Sequence, residues 1–257
     1  MQKKNLHPIH LSTEDLPKKS QHIDKLSTKE AISLMIEKQG LAFSAVKDAI
    51  SEIEKATNAA YLKLSESDKG RLVYAGAGTS ARIGVQDGVE LPPTFNWPRE
   101  RILFLVAGGE GAIVQAVENA EDDVNDGAGM VKRFRLNRKD IIIALSASGL
   151  TPFTVGALAA ARESGALTIG IANNRDTPLL KIANHPILLN TGGEIVAGST
   201  RLTAGTAQKI CLNTISTMIM VKMGYVANGM MVSMVPTNEK LRQRKKEIDR
   251  VMRKNNK

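Results

Sequence analysis

The chain has little material for several common kinds of site. One cysteine, Cys211, stands among 257 residues, so no intrachain disulfide framework can form and a reducing compartment is expected. Within its apolar helical run it reads as a small buried side chain. The four histidines, His7, His10, His22 and His185, are scattered without zinc-type spacing. His185 precedes Pro186 at a strand entry, where a structural role fits better. Aromatics make up 4%, so the core must come from Ala, Val, Ile, Leu and Met. No apolar run approaches the roughly 20 residues that span a bilayer. The segment Met1–Pro8 carries no hydrophobic stretch suited to a signal peptide. A cytoplasmic protein with no membrane partner is the expectation.

Basic charge is also missing where nucleic-acid binding would need it. The net charge is +9, but residues 238–257 hold nine Lys/Arg against three acids, and residues 1–30 hold six Lys against four. The body between is close to neutral. A basic tail without interleaved aromatics reads as a solvated helix face, not a nucleic-acid groove.

What is present is an alternation of strand and helix patterns. Residues 1–25 are polar, with Pro8 and Pro17, and read as an extended arm. Ser27 followed by Glu30 forms a capping box ahead of two helices. The second carries Val46, Ala49, Ile50, Ile53, Ala56, Ala60 and Leu64 near a 3.6-residue period. Strands are predicted at Leu72–Ala75, Ile102–Val106, Asp140–Leu145, Leu167–Ala172 and Pro186–Asn190. Helices are predicted after Ser80, over Ile113–Ala120 and over Pro152–Glu163. Near-continuous apolar strands alternating with helices imply a mainly parallel sheet covered on both faces, an α/β/α sandwich. A helix over Thr203–Met223 is apolar almost all round, which suggests burial, within the chain or between subunits. After Pro236, Thr237 or Asn238 can cap a last basic helix bearing Leu241, Ile248, Val251 and Met252. The expected organisation is an N-terminal arm with helices (1–65), a central domain (66–235) and a short basic helix (236–257).

Two loops carry the chemistry. Gly76-Ala77-Gly78-Thr79-Ser80 leaves the first strand and opens a helix. Its glycines allow close backbone approach, the hydroxyls of Thr79 and Ser80 can donate to an anion, and helix N-terminal amides complete a cradle. Ser146-Ala147-Ser148-Gly149-Leu150-Thr151-Pro152 follows a second strong strand in the same way. Together they suggest one small phosphorylated ligand held from two sides. The first loop formally matches a dinucleotide fingerprint, but the next strand ends in Ala107-Gly108-Gly109 without the ribose-binding acid. No Gly-Lys-Ser/Thr follows, which excludes a nucleotide P-loop. Candidate acids are Glu90, before Pro92-Pro93 in a rigid turn at the helix end, and the cluster Glu118, Glu121, Asp122 and Asp123. Residue chemistry alone leaves these open between catalytic acids and solvated surface carboxylates.

The stretch Gly76–Phe95, with Glu90-Leu91-Pro92-Pro93-Thr94-Phe95, resembles the signature of the N-acetylmuramic acid 6-phosphate etherases, a branch of the sugar-isomerase (SIS) superfamily. The resemblance continues through Ala107-Gly108-Gly109, Ala116–Asp122, Ala147–Pro152, Gly198–Arg201, Ala204-Gly205-Thr206-Ala207-Gln208-Lys209 and Thr237–Leu241, over roughly residues 22–250. It implies a SIS-type fold, a homodimer whose partner helps close each site, and cleavage of a sugar lactyl ether without metal or redox cofactor. Glu90 matches the family's catalytic acid and Glu121 its second catalytic glutamate, the base. The substrate- and phosphate-binding set implied is Gly78, Thr79, Ser80, Arg82, Ser146, Ser148, Gly149, Thr151, Glu194, Ser199, Arg201 and Lys209. Departures are Leu150 for the family's Arg, Thr203 for its Lys, Ala81 for a Gly and Leu91 for a Cys. Family members also continue into a further helical segment that these residues do not include. An aldose–ketose phosphosugar isomerase and a phosphosugar-sensing regulator resembling the glucokinase regulatory protein remain the alternatives.

Overall fold

The structure, a computed structural model, describes residues 9–234 together with Glu239, Arg242, Gln243, Lys245, Lys246 and Arg250. Helices α1 (Thr28–Asp48) and α2 (Ile50–Ser65) lead into an alternating series. It runs β1 (Leu72–Gly76), α3 (Gly78–Phe95), β2 (Ile102–Val106), α4 (Val124–Arg133), β3 (Ile141–Ser146), α5 (Pro152–Glu163), β4 (Leu167–Ala172), α6 (Pro178–Ile182) and β5 (His185–Leu188). The long α7 (Thr203–Lys222) and a small antiparallel pair, β6 (Val226–Ala227) and β7 (Met230–Met231), follow. The five main strands are parallel in the order β2-β1-β3-β4-β5. Helices cover both faces, as continuous Ile, Leu and Val runs require. One face packs Leu72, Tyr74, Ile141, Ile143 and Ile169 under α1, α2, α3 and α7. The other packs Val73, Ala75, Ile142 and Ala144 under α4, α5 and α6.

Ser27 caps α1 as its spacing predicts, accepting from the Glu30 amide while Glu30 Oε2 accepts from the Ser27 amide at 3.0 Å. Val46, Ala49, Ile53, Ala56, Ala60 and Leu64 are buried along α1 and α2, but Ile50 at their junction is exposed. The N-terminal arm is not simply extended. Short 3₁₀ turns at Ser12–Glu14, Lys19–Gln21 and Ile23–Lys25 lay it on the domain, with Thr13 fully buried. The capping and apolar positions expected of a helix after Pro236 (Thr237, Asn238, Leu241, Ile248, Val251, Met252) lie outside the described residues.

Two further expectations need correction. Residues Ile113–Ala120 form no α-helix; 3₁₀ turns at Glu110–Ile113 and Ala120–Asp122 flank an irregular stretch. The Arg82 guanidinium takes the carbonyls of Ile113 (2.9 Å) and Ala112 (3.0 Å), groups that a helix here would need for its own ladder. Glu90 is not in a turn, because α3 continues through Pro92 and Pro93 to Phe95 and ends at Asn96 in the left-handed region. A proline inside a helix costs about 3 kcal/mol or more. Burial of Leu91 and Phe95, about 1.5–3 kcal/mol each, together with that of Trp97 just beyond, offsets much of this. The helix α7 packs against α1, α2 and α3, and leaves Lys209, Thr214, Thr217 and Met218 exposed along one side.

Candidate functional site

In this strand order β1 is joined onward to β2 on one side and β3 departs on the other, so a crevice opens between the C-terminal ends of β1 and β3. Open parallel sheets bind ligands at such a switch point. Gly76 pairs with Leu145 across β1 and β3, which sets the two hydroxyl loops side by side. In the first, Gly78 begins α3 at φ +52°, and Thr79 and Ser80 complete the first helical turn. In the second, Thr151 precedes α5, whose first residue is Pro152; proline suits that position because its missing N–H would be unpaired there.

The second loop is internally ordered. Ser146 Oγ lies 2.9 Å from Thr151 Oγ1 and 3.2 Å from Ser148 Oγ. Ser146 Oγ also accepts from the Gly149 amide at 3.0 Å, and Ser148 Oγ from the Leu150 amide at 3.1 Å. Gly149 has φ +69°, and a Cβ there would come within 2.4 Å of Thr177 Oγ1. Three hydroxyls converging at a helix N-terminus have the chemistry to hold an anion. Leu150 adds no charge to it.

Beside the first loop is a cavity of about 220 Å³ lined by Ala77, Gly78, Arg82, Val117, Glu118 and Glu121, among others. Glu121 thus joins the first loop, although its side chain is exposed. Glu90 does not join them within this chain. It is exposed on α3, twelve residues beyond Gly78, or about 18 Å along a helix rising 1.5 Å per residue. The start of α7 also borders the first loop, since a Cβ on Gly205 would meet Thr79 Cγ2 at 3.4 Å. Ser199 is half-buried on this approach and Arg201 is exposed. Glu194 is buried, and its two oxygens accept from the amides of Thr203 (3.0 Å) and Ala204 (2.8 Å). In that position a carboxylate caps α7 and compensates its positive end. Arg82 holds loop carbonyls, as described above.

Several participants escaped the sequence reading. Asp87, buried on α3, accepts from Tyr74 Oη (2.9 Å), Ser216 Oγ (2.9 Å) and Asn213 Nδ2 (2.6 Å). Lys209, exposed on α7, donates to Asn213 Oδ1 and so reaches this network from outside. Burial pushes the Asp87 carboxyl above the ordinary aspartate range, against the pull of those hydrogen bonds and of the Lys209 charge. Asp87 has one legible signal: it falls among Ala81, Gly84, Gly88 and Leu91, on the face of α3 that packs inward. A second network joins the two loops from beneath. Ser80 Oγ meets Gln208 Oε1 at 2.8 Å, and Gln208 Nε2 meets Asn173 Oδ1 at 3.0 Å. The adjacent Asn174 donates to the Ala147 carbonyl at 2.9 Å and to Thr13 Oγ1 at 3.0 Å, which ties the N-terminal arm to the second loop. Nothing in the sequence pairs Thr13 with a residue so distant along the chain.

Comparison with known proteins accords with this geometry. The chain matches the family model described as the glucokinase regulatory protein N-terminal SIS domain over residues 53–162, and the SIS domain over residues 111–223. It is 48% identical over 226 residues to the N-acetylmuramic acid 6-phosphate etherase of Deinococcus radiodurans, covering 88% of this chain and 73% of that protein. The etherase of Halalkalibacterium halodurans is 41% identical over 238 residues, covering 93% and 79%. Among solved structures, a putative phosphosugar isomerase involved in capsule formation from Bacteroides fragilis superposes with a TM-score of 0.60 at 20% identity, covering 79% of this chain and 95% of that one. A phosphoheptose isomerase from Francisella tularensis gives a TM-score of 0.53 at 18% identity, covering 76% and 98%. These two likenesses show the fold.

Proposed function

The chain belongs to the N-acetylmuramic acid 6-phosphate etherase family, and from that premise we propose that the crevice between β1 and β3 is its active site. The enzyme is a carbon–oxygen lyase. It cleaves the D-lactyl ether of N-acetylmuramic acid 6-phosphate, giving N-acetylglucosamine 6-phosphate and D-lactate. The observation that carries the site assignment is the meeting of two hydroxyl-rich loops at the switch point, with Glu121 lining a cavity beside the first of them.

In the open-chain sugar the aldehyde acidifies the proton on carbon 2, and Glu121 is the base that removes it in this reading. The lactate at carbon 3 leaves once Glu90 protonates its oxygen, and water then adds to the conjugated aldehyde. This chemistry needs one carboxylate and one carboxylic acid on the same substrate. The roughly 18 Å from Gly78 to Glu90 along α3 supports a homodimer in which Glu90 enters the crevice of the second copy. α1 offers a surface for such pairing: Ile32, Ile36 and Phe43 are exposed at helical spacing on one stripe. Ser146, Ser148 and Thr151 hold the phosphate, with Thr79, Ser199, Arg201 and Lys209 around the sugar. The reaction runs in the cytoplasm and serves recovery of cell-wall amino sugars. Among the described residues, no helix is long and apolar enough to cross a membrane.

Incubation with N-acetylmuramic acid 6-phosphate should release D-lactate in step with N-acetylglucosamine 6-phosphate. Tight phosphosugar binding without lactate release would instead favour a sensor. The match to the glucokinase regulatory protein domain over residues 53–162 supports that second reading.

A further inference from the structure

The first loop's serine ends a chain of buried amides whose hydrogen-bond polarity follows from one fixed point. The Leu189 carbonyl can only accept, so Asn173 must turn Nδ2 toward it, at 2.9 Å. Asn173 Oδ1 then faces Gln208, which donates through Nε2 at 3.0 Å. Gln208 Oε1 is left facing Ser80, and the 2.8 Å contact requires Ser80 Oγ–H as the donor. Asn173 and Gln208 are fully buried. Reversing either amide would set oxygen against oxygen where no water can repair the mismatch. The second loop has the opposite sense. There Ser146 and Ser148 each accept from a backbone amide, and the contacts of Ser146 with Ser148 and Thr151 use two of the three hydroxyl protons, so one is left to donate outward beside the amides that open α5.

We propose that Gln208, aligned by Asn173, is a positioning residue that makes Ser80 a hydrogen-bond acceptor. The first loop then reads a hydroxyl or N–H of the sugar, while the second loop takes the phosphate with its remaining hydroxyl proton and the amides at the start of α5. This rests on the reading that both loops hold the phosphosugar. A phosphate near neutral pH has little proton to give, so its oxygens would meet only lone pairs at Ser80. The hydroxyls and acetamido N–H of an N-acetylated sugar are donors and suit that position.

The test is calorimetric titration of the full chain with two probes, inorganic phosphate and N-acetylglucosamine 6-phosphate. Ser80→Ala should weaken the sugar phosphate about three- to tenfold, the effect of one neutral hydrogen bond, and leave inorganic phosphate unchanged. Gln208→Met frees the Ser80 proton and should give the same split, with no further loss in the double variant. Ser148→Ala should weaken both probes about tenfold or more. An equal loss of inorganic phosphate in Ser80→Ala and Ser148→Ala would place Ser80 on the phosphate and overturn the proposal alone. Retention of full sugar-phosphate affinity in Gln208→Met would also overturn it. If no hydroxyl variant altered either probe, the site reading would fall and the proposal with it. Should Gln208→Met not fold, Ser80→Ala against the two probes still decides.

Discussion

The face of the sheet under α4, α5 and α6 is closed by small residues at short range, whereas the face under α3 and α7 is threaded by buried polar side chains. Gly127 on α4 and Gly156 on α5 let those helices touch through their backbones. A Cβ on Gly127 would come within 2.1 Å of the Phe153 carbonyl, and one on Gly156 within 2.4 Å of the Val124 carbonyl. On the α7 face, Asp87 with Tyr74, Asn213 and Ser216, and Ser80 with Gln208 and Asn173, replace part of the hydrocarbon contact. Burying such groups is costly unless every partner is in place. The contrast separates a face built for rigidity from one that fixes the direction of specific donors and acceptors beside the crevice.

Substitutions of the two proposed catalytic glutamates should produce the largest effects. Glu90→Gln should lower lactate release by a factor of roughly 10²–10⁴ while phosphosugar binding and the melting temperature survive. Glu121→Gln should abolish solvent deuterium exchange at carbon 2; retained exchange would transfer the role to Glu118. If Glu90 acts across a dimer, co-refolding the two inactive variants should restore roughly a quarter of wild-type activity, as random pairing of two-fold dimers gives one intact site in half of them. No recovery in a verified mixed dimer would confine both acids to one chain.

The opposite face should respond in stability. Gly127→Ala should cost about 3 kcal/mol in denaturant unfolding, the upper range for overpacking, because the atom it strikes is main chain. Stability within about 1 kcal/mol of wild type would show that α4 can move away, and would weaken the contrast between the faces.

Asp87 allows a pH test of the polar face. The groups that face it are Tyr74, Asn213, Ser216 and Lys209, and burial raises its folded-state pKa. A raised carboxyl contributes its stability below the unfolded-state pKa and loses it as pH rises through the folded value. Asp87→Asn should therefore flatten the stability decline from the ordinary aspartate range upward. An unchanged slope would assign that decline to other groups.

The smallest effect concerns the uncharged second loop. Leu150→Arg places a cation beside Ser148 and Thr151 and should lower the Michaelis constant for the muramyl substrate about threefold to tenfold. An unchanged or raised constant would mean that another cation already serves. Arg201 and Lys209 are the candidates, since Arg82 is engaged by the carbonyls of Ala112 and Ile113.

Local pattern determined a good deal of this protein. The apolar runs at Ile102–Val106 and Leu167–Ala172 became strands with those bounds, Ser27 and Glu30 formed their capping box, and both hydroxyl loops fell at strand ends. These features depend on neighbours within a turn or a strand, and so they are written in neighbouring residues. Pairings across long chain separations were decided by the tertiary structure. The continuation of α3 through Pro92-Pro93 depended on what Leu91 and Phe95 could bury. The loss of a helix at Ile113–Ala120 depended on a guanidinium from α3. Which side of α7 packs against α1, α2 and α3, and that Met218 stays exposed, was likewise beyond its own apolar pattern. Thr13 with Asn174, and Ser80 with Gln208 and Asn173, are tertiary for the same reason. A buried hydrogen bond is decided by which donor and acceptor arrive at about 3 Å, and that distance is set by the packing of the whole fold.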